Sequence, residues 1–254
     1  MNPTFRPNTP TMKELHNRYT FFVYPQEIDG SAQLRLSSLE GYLLNTAGLA
    51  AEDNGFGAME MIQQGVTWVL SQLSIEMQRL PKQYESFVIE TWVEDYGRLL
   101  TTRHFIVYDK DKQEIGSACS QWALIDIKSR RPINLQTRED LMHFATGEPG
   151  KIEKPLRIGA VNDGVEVARH KVSYSDIDYN NHTNSMKYVE WMLDTYHLDK
   201  LYNCSIKRFD INYLREALFG EEVYIFRSEA DKAHVIDIRN ANGVSLCKAQ
   251  IQFD

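Results

Sequence analysis

The fold of this chain is decided by residues 167–191, VARHKVSYSDIDYNNHTNSMKYVEW. This stretch starts as a strand, turns at Asp178 after an isoleucine, and ends with apolar residues at helical spacing. Residues 19–44, YTFFVYPQEIDGSAQLRLSSLEGYLL, follow the same order around Asp29. We interpret the two stretches as copies of one strand–turn–helix unit, although short strand-rich segments also resemble one another by coincidence.

Segments with the pattern of antiparallel strands follow each copy. The first helix is predicted over Leu36–Glu52. The later strands of the first half are predicted over Phe87–Val93, Thr101–Tyr108 and Gly116–Ile125. Those of the second half are predicted over Ile206–Arg215, Glu222–Ser228, His234–Arg239 and Val244–Phe253. The sequence therefore predicts an α+β fold in which two antiparallel sheets each wrap around a central helix and together form a pseudo-dimer.

A polar stretch rich in proline and charge separates the two halves, from about Lys128 to Asp163. We therefore place an N-terminal domain at residues 1–127, a linker at 128–163 and a C-terminal domain at 164–254. We expect the two domains to share a joint core.

The composition narrows the classes of function. The 254 residues are 43% hydrophobic and carry a net charge of −7, which argues against nucleic acid as a partner. Three cysteines without a Cys-x-x-Cys pair suggest neither a disulfide framework nor a zinc site. The N-terminus lacks the apolar core of a secretory signal, and no run of about 18 apolar residues occurs. We therefore expect a cytoplasmic protein that does not span a membrane.

Asp178, Asn180 and His182 alternate in the connection between strand and helix. In an extended segment their side chains would share one wall, with an acceptor, an amide donor and a titratable imidazole. Asn184 is placed to cap the following helix, whose free N–H groups favour a developing oxyanion. Asp and Asn are equally common in ordinary turns, so the spacing alone leaves a catalytic and a structural interpretation open.

The run SDIDYNNHTNSMKY, residues 175–188, resembles the signature S-D-x-D-x-N-x-H-x-N-N-x-K-Y of plant and bacterial acyl-acyl carrier protein (acyl-ACP) thioesterases. Three further segments resemble the same family: LNTAGLAAEDNGFG (44–57), ETWVEDYGRLLTTRHFIVYD (90–109) and INYLREALFGEEV (211–223). The resemblance covers roughly residues 15–254. It implies a tandem (double) hotdog fold and hydrolysis of the thioester between a fatty acyl chain and ACP.

The resemblance assigns catalytic roles to Asp178, Asn180 and His182, and to Glu216 through its YLRE motif. The family's cysteine after that glutamate is Ala217 here, so no cysteine nucleophile can be built at this position. We favour a water activated by Glu216 and His182, with Asn180 polarising the substrate and Asp178 holding Asn180 or the water. Direct attack by Asp178 through a transient anhydride is the rival mechanism.

The first half lacks most of these groups. Aligning Asp29 with Asp178 places Ser31 and Gln33 where the second half has its asparagine and histidine. We therefore predict one catalytic site per chain, and we expect the first half to shape the tunnel for the acyl chain.

The expected partner is ACP with its phosphopantetheine-linked acyl chain, which needs a local basic patch such as KSRR, residues 128–131. No nucleic acid, membrane, metal or organic cofactor is expected, and a homodimer is left open. The alternatives are a hotdog acyl-CoA thioesterase, a lyase-type hotdog dehydratase, and a catalytically inactive acyl-binding module. Ala217 motivates the last of these.

Overall fold

A computed structural model describes residues 15–161, 163–230 and 233–254. Residues 1–14, which include most of the N-terminus predicted to lack a secretory signal, lie outside the described residues. The strands are β1 (Asn17–Phe22), β2 (Val66–Met77), β3 (Ser86–Tyr96), β4 (Thr101–Asp109), β5 (Glu114–Asp126), β6 (Val165–Lys171), β7 (Ile206–Tyr213), β8 (Glu222–Ala230), β9 (Ala233–Asn240) and β10 (Ser245–Phe253). The helices are α1 (Leu36–Asp53), α2 (Ala58–Gln63), α3 (Glu139–Met142), α4 (Ser185–Leu193) and α5 (Leu198–Asn203).

The strands form a ten-stranded antiparallel sheet in the order β1-β3-β4-β5-β2-β7-β10-β9-β8-β6. The order within the first half, from β1 to β2, is the same as the order within the second half, from β6 to β7. The halves meet where β2 pairs with β7, with Leu73 opposite Ile211 and Ser74 opposite Asp210. The predicted tandem hotdog is confirmed, and its two sheets are continuous through this pairing.

The sheet wraps around α1 and α4, the two central helices, which contact each other. Leu39 and Leu43 of α1 are fully buried in the shared core. Gly41 lets the helices approach, because a Cβ atom there would lie 2.7 Å from Sδ of Met186 on α4. The predicted cap of α4 is confirmed: the side-chain oxygen of Asn184 accepts a hydrogen bond from the backbone N–H of Met186 at 3.1 Å.

The sequence prediction lacks one strand, β2. A bulge between Leu70 and Gln72 shifts the register of β2 against β5. A bulge interrupts the alternation of inward and outward side chains on which strand prediction depends. The duplication itself requires this strand, because β2 is the counterpart of the predicted strand that begins at Ile206.

The segment between the halves packs against both of them. Leu135 and Leu141 lie in a core cluster of the first half, and Ala145 bridges to Val93 of β3. Further along, the backbone N–H of Leu156 donates to Oδ1 of Asp210 on β7 at 3.1 Å. The domain limits at residues 127 and 164 stay a prediction. Within the described ranges, every helix is too short or too polar to span a lipid bilayer.

Glu40 on α1 is fully buried where the two halves meet. Its Oε1 accepts a hydrogen bond from Oη of Tyr213, the last residue of β7, at 2.6 Å. Its Oε2 has no hydrogen-bond partner in the described part of the chain. Burial raises the pKa of Glu40 from 4.5 to about 7, against the lowering effect of the hydrogen bond from Tyr213.

We predict that Glu40→Gln changes how stability depends on pH. Because burial raises the pKa of Glu40 in the folded state, stability falls as the pH rises from about 4.5 to about 7. The whole shift corresponds to on the order of 3 kcal/mol of unfolding free energy at alkaline pH. Urea unfolding at about pH 5 and about pH 8 measures this fall, and Glu40→Gln should remove most of it.

The exposed Glu166→Gln serves as the control and should leave the fall in place. A pH dependence that is the same in Glu40→Gln and in the wild type would contradict the assignment.

Candidate active site

Asp178, Asn180 and His182 lie in a tight turn. The backbone N–H of Asp178 donates to the carbonyl oxygen of His182 at 2.9 Å. Oδ1 of Asp178 accepts hydrogen bonds from the backbone N–H groups of Asn180 (2.8 Å) and His182 (3.1 Å). Asn181 adopts a left-handed φ of 64° within the turn. The expectation of an extended segment is therefore wrong, because the Asp178 carboxylate folds the chain back on itself.

The first half contains the same turn around Asp29. Its Oδ1 accepts hydrogen bonds from the backbone N–H groups of Ser31 (2.8 Å) and Gln33 (3.1 Å), and Ala32 has a φ of 58°. The aspartate therefore builds the turn in both halves. The imidazole and the asparagine amide are present only in the second.

Glu216 lies in the loop after β7, beside the turn. Its Oε2 is 3.2 Å from Nε2 of His182. Nη2 of Arg130, in the segment between the halves, donates to both Glu216 oxygens at 3.0 and 2.9 Å. Nδ2 of Asn180 lies 3.5 Å from Oδ2 of Asp178. The structure thus brings the predicted residues together and adds an arginine to them.

Ala217 anchors the Glu216 loop in the core. Its backbone N–H donates to Oη of Tyr188 on α4 at 2.9 Å. Its carbonyl oxygen accepts hydrogen bonds from the backbone N–H (3.0 Å) and the hydroxyl (2.9 Å) of Thr183. Because Thr183 directly follows His182, these bonds hold the glutamate and the histidine at a fixed separation.

The first half has no acid at the corresponding place. The backbone N–H of Leu34 donates to the carbonyl oxygen of Pro81 at 2.8 Å. This bond corresponds to the one that joins Thr183 to Ala217 in the second half. This match places Leu80 where the second half has Glu216. A cavity of about 530 Å³ lies beside Leu80 and Gln33. At these two positions its wall has no counterpart of the Glu216 carboxylate or the His182 imidazole.

A second cavity, of about 220 Å³, lies between α1 and the strands of the first half. We call it the acyl cavity, after the acyl tunnel that the sequence leads us to expect in the first half. The small residues Ala47, Gly48 and Ala51 of α1 leave this space open. Tyr179 and Asn180 of the turn also line it, and Tyr179 is 83% exposed. The acyl cavity therefore reaches the surface beside Asn180.

The second half fills the equivalent space with rings. Counted from the turn aspartates, Tyr196 corresponds to Ala47 of the first half. The ring of Tyr196 packs against those of His234 and Phe253, with centroids 5.5 and 5.6 Å apart. Helix α4 ends at Leu193, whereas α1 continues to Asp53 and has Ala47 at this position, beside the cavity.

Two domain models of one protein family match this chain. The acyl-ACP thioesterase N-terminal domain matches residues 14–142, and the acyl-ACP thioesterase C-terminal domain matches residues 160–254. The chain belongs to the acyl-ACP thioesterase family. The family and the fold predicted from the motifs are thereby confirmed.

Relatives within this family include bacterial and plant proteins. The acyl-ACP thioesterase of Bacteroides thetaiotaomicron is 35% identical, and the superposition covers 96% of this chain and 100% of that chain with a TM-score of 0.89. The 12:0-ACP thioesterase of Umbellularia californica shares the fold at 19% identity, with a TM-score of 0.81 over 94% of this chain and 97% of that chain.

Curated plant relatives are longer than this chain. The chloroplastic oleoyl-acyl carrier protein thioesterase of Coriandrum sativum is 26% identical over 92% of this chain and 69% of its own length. The chloroplastic palmitoyl-acyl carrier protein thioesterase of Arabidopsis thaliana is 26% identical over 78% of this chain and 52% of its own length. The chain thus spans roughly half to two thirds of such plant thioesterases.

Arg130 is the site residue that the motifs do not identify. It belongs to the basic cluster KSRR, and a solvated loop explains such a cluster equally well. Its contact with Glu216 joins two residues that are 86 positions apart in the sequence. Local sequence patterns carry no signal for a contact of that kind.

The cysteines have no part in the geometry described above. Burial raises the pKa of the Cys119 thiol to about 12 and that of Cys247 well above 9.0. Cys204 is half-buried and borders the cavity beside Leu80. Thiols with raised pKa values are poor nucleophiles at neutral pH.

We predict that Cys204→Ala and Cys247→Ala each keep kcat/KM within about threefold of the wild type, because neither thiol touches the reacting groups. Initial rates of thioester hydrolysis with purified variants measure this. Iodoacetamide should likewise leave the wild-type rate unchanged. Loss of turnover in a variant that still unfolds cooperatively would restore a cysteine mechanism.

Proposed function

We propose that this protein hydrolyses the thioester of fatty acyl-ACP and releases the free fatty acid. One observation carries the proposal: the contact of 3.2 Å between His182 and Glu216 stands beside a turn whose Asn180 lines the acyl cavity. Membership of the acyl-ACP thioesterase family supports it. The acyl chain lies in the cavity, with its thioester carbonyl beside Asn180.

The pair of His182 and Glu216 activates the attacking water. Both oxygens of Glu216 accept hydrogen bonds from Arg130, which fixes the carboxylate in place. Nδ1 of His182 has no hydrogen-bond partner among the residues that the structure describes, so this nitrogen is free to bind water. We assign the proton transfer to His182 and the stabilisation of the resulting imidazolium to Glu216.

The remaining steps follow from this assignment. The water oxygen bonds to the carbonyl carbon, and the carbonyl oxygen takes the negative charge, to which Nδ2 of Asn180 donates a hydrogen bond. The carbon–sulfur bond then breaks, and His182 returns the proton to the departing sulfur. The products are a carboxylic acid and the free phosphopantetheine thiol.

Asp178 has a positioning role in this scheme. Its Oδ1 accepts two backbone hydrogen bonds, and Asp29 makes the same two bonds in the half that has no histidine. Its function of shaping the turn thus explains its presence without any attack on the substrate. This favours the water mechanism over an anhydride at Asp178.

The surface beside Glu216 fits an acidic carrier protein. Lys128 and Arg131 flank the arginine that binds Glu216, and Arg215 directly precedes the glutamate; all three are exposed. Leu218 and Phe219 follow it and are 46% and 69% exposed. A basic surface with an apolar centre provides both attraction and contact area for such a partner.

We predict that Glu216→Gln lowers kcat on decanoyl-ACP by about 10²–10⁴-fold, because the neutral amide cannot stabilise the imidazolium. KM should change far less, since the acyl cavity is intact. Release of free decanoic acid at saturating substrate measures the effect. Glu166→Gln, a change of the same kind at an exposed glutamate, is the matched control and should retain the wild-type rate.

A comparison of decanoyl-ACP with decanoyl-coenzyme A tests which carrier the protein prefers. We expect kcat/KM to be at least about tenfold higher with ACP, since only the protein carrier can contact the basic surface. A higher value with coenzyme A would favour the acyl-CoA thioesterase instead. Wild-type protein that hydrolyses neither substrate would favour an inactive acyl-binding module.

A further inference from the structure

Arg103 on β4 places a buried charge in the acyl cavity. The residue is 5% exposed and lines the cavity together with Tyr96. Its Nη1 donates to Oγ1 of Thr91 at 3.2 Å, and no carboxylate within the described ranges forms an ion pair with it. Burial lowers the pKa of the guanidinium to about 10, which still leaves it charged at neutral pH. A buried charge without a counter-ion destabilises the folded state.

Tyr96 supplies a second donor, and this one has no partner among the described residues. Its Oη is buried and has no hydrogen-bond partner in the part of the chain that the structure describes. The neighbouring Thr101 hydroxyl is already engaged, since it donates to the carbonyl oxygen of Asp95 at 2.7 Å. Arg103 and Tyr96 are therefore two donors in one cavity whose other walls include aromatic and alanine side chains.

In the second half, the residue at the position of Arg103 has a hydrogen-bond partner within the protein. Asp109 and Asn240 occupy the same place in the two copies of a hairpin, and counting back from them matches Arg103 with His234. Nδ1 of His234 lies 3.0 Å from Oη of Tyr196. In the first half the position found by counting is Ala47 on α1, whose side chain offers no hydroxyl to Arg103.

We propose that the acyl cavity binds an acyl chain that carries an acceptor oxygen, held by Arg103 and Tyr96. This proposal rests on the proposed function, because it names the substrate class of the same site. A plain alkyl chain would displace water from both donors and give nothing in return. A hydroxyl or carboxylate oxygen accepts from both.

The acceptor oxygen has two chemical sources. One is a hydroxyl group near the thioester, as in a 3-hydroxyacyl chain, and the other is a carboxylate at the far end of the chain. Along α1 the lining residues run from Leu44 to Ala51, which spans roughly 10 Å at the helical rise. The experiment separates the two sources.

The test compares decanoyl-ACP, 3-hydroxydecanoyl-ACP and decanedioyl-ACP as substrates of the whole protein. The wild type should show a kcat/KM at least about tenfold higher for one oxygenated chain than for the plain chain. Arg103→Met should abolish this preference and raise kcat/KM for decanoyl-ACP. Tyr96→Phe should reduce the preference several-fold, and Arg169→Met, at an exposed arginine, is the matched control.

Arg103→Met should also raise the melting temperature of the free protein, since it removes a buried charge without a counter-ion. Should that variant fail to fold, Tyr96→Phe and Arg103→Lys test the proposal instead. The quantity compared is the ratio of kcat/KM for the oxygenated chain to kcat/KM for decanoyl-ACP. A wild type that prefers decanoyl-ACP to both oxygenated chains, or a preference that the Arg103 and Tyr96 variants leave unmoved, overturns the proposal.

Binding of free acids separates this proposal from the proposed function. If no acyl-ACP is hydrolysed, the proposed function fails, but 3-hydroxydecanoic or decanedioic acid should still raise the melting temperature more than decanoic acid does. Arg103→Met should remove that difference. Equal shifts for all of these acids in the wild type would overturn the substrate class as well.

Discussion

The pairing of β2 with β7 is the contact on which the rest of the structure depends. It joins two hotdog halves edge to edge and sets their central helices side by side. Glu40 and Tyr213 meet across this junction, and Arg130 of the connecting segment contacts Glu216 of the second half. A cavity in one half therefore opens beside a loop of the other. Neither half alone contains the complete arrangement.

The two halves have the same strand order and differ in a few residues around the same turn. Both halves keep the turn built by an aspartate carboxylate. The second half has histidine and glutamate where the first has Gln33 and Leu80. The first half has Ala47 where the second has Tyr196, and it contains the acyl cavity. In the proposed function the first half binds the chain and the second supplies the proton transfer, which would give one site per chain.

The sequence predicts the general architecture well because repeated strand–turn–helix units and apolar periodicity are local signals. Helix α1 and its pattern of buried residues follow from that periodicity. Strand β2 is missed because its bulge breaks the alternation, and the shape of the turn is missed because alternation of polar residues does not require an extended chain. The roles of Arg130 and Arg103 cannot be predicted from local sequence, because they depend on contacts between segments that are distant in the chain.

The most direct test gives the second half the residues of the first, as Asn180→Ser, His182→Gln and Glu216→Leu in one variant. Hydrolysis of decanoyl-ACP and thermal unfolding are measured on the same preparation. We predict cooperative unfolding like that of the wild type, because Asp178 still closes the turn, together with hydrolysis no faster than without enzyme. A folded variant that keeps activity within about tenfold of the wild type would place catalysis elsewhere and contradict the account.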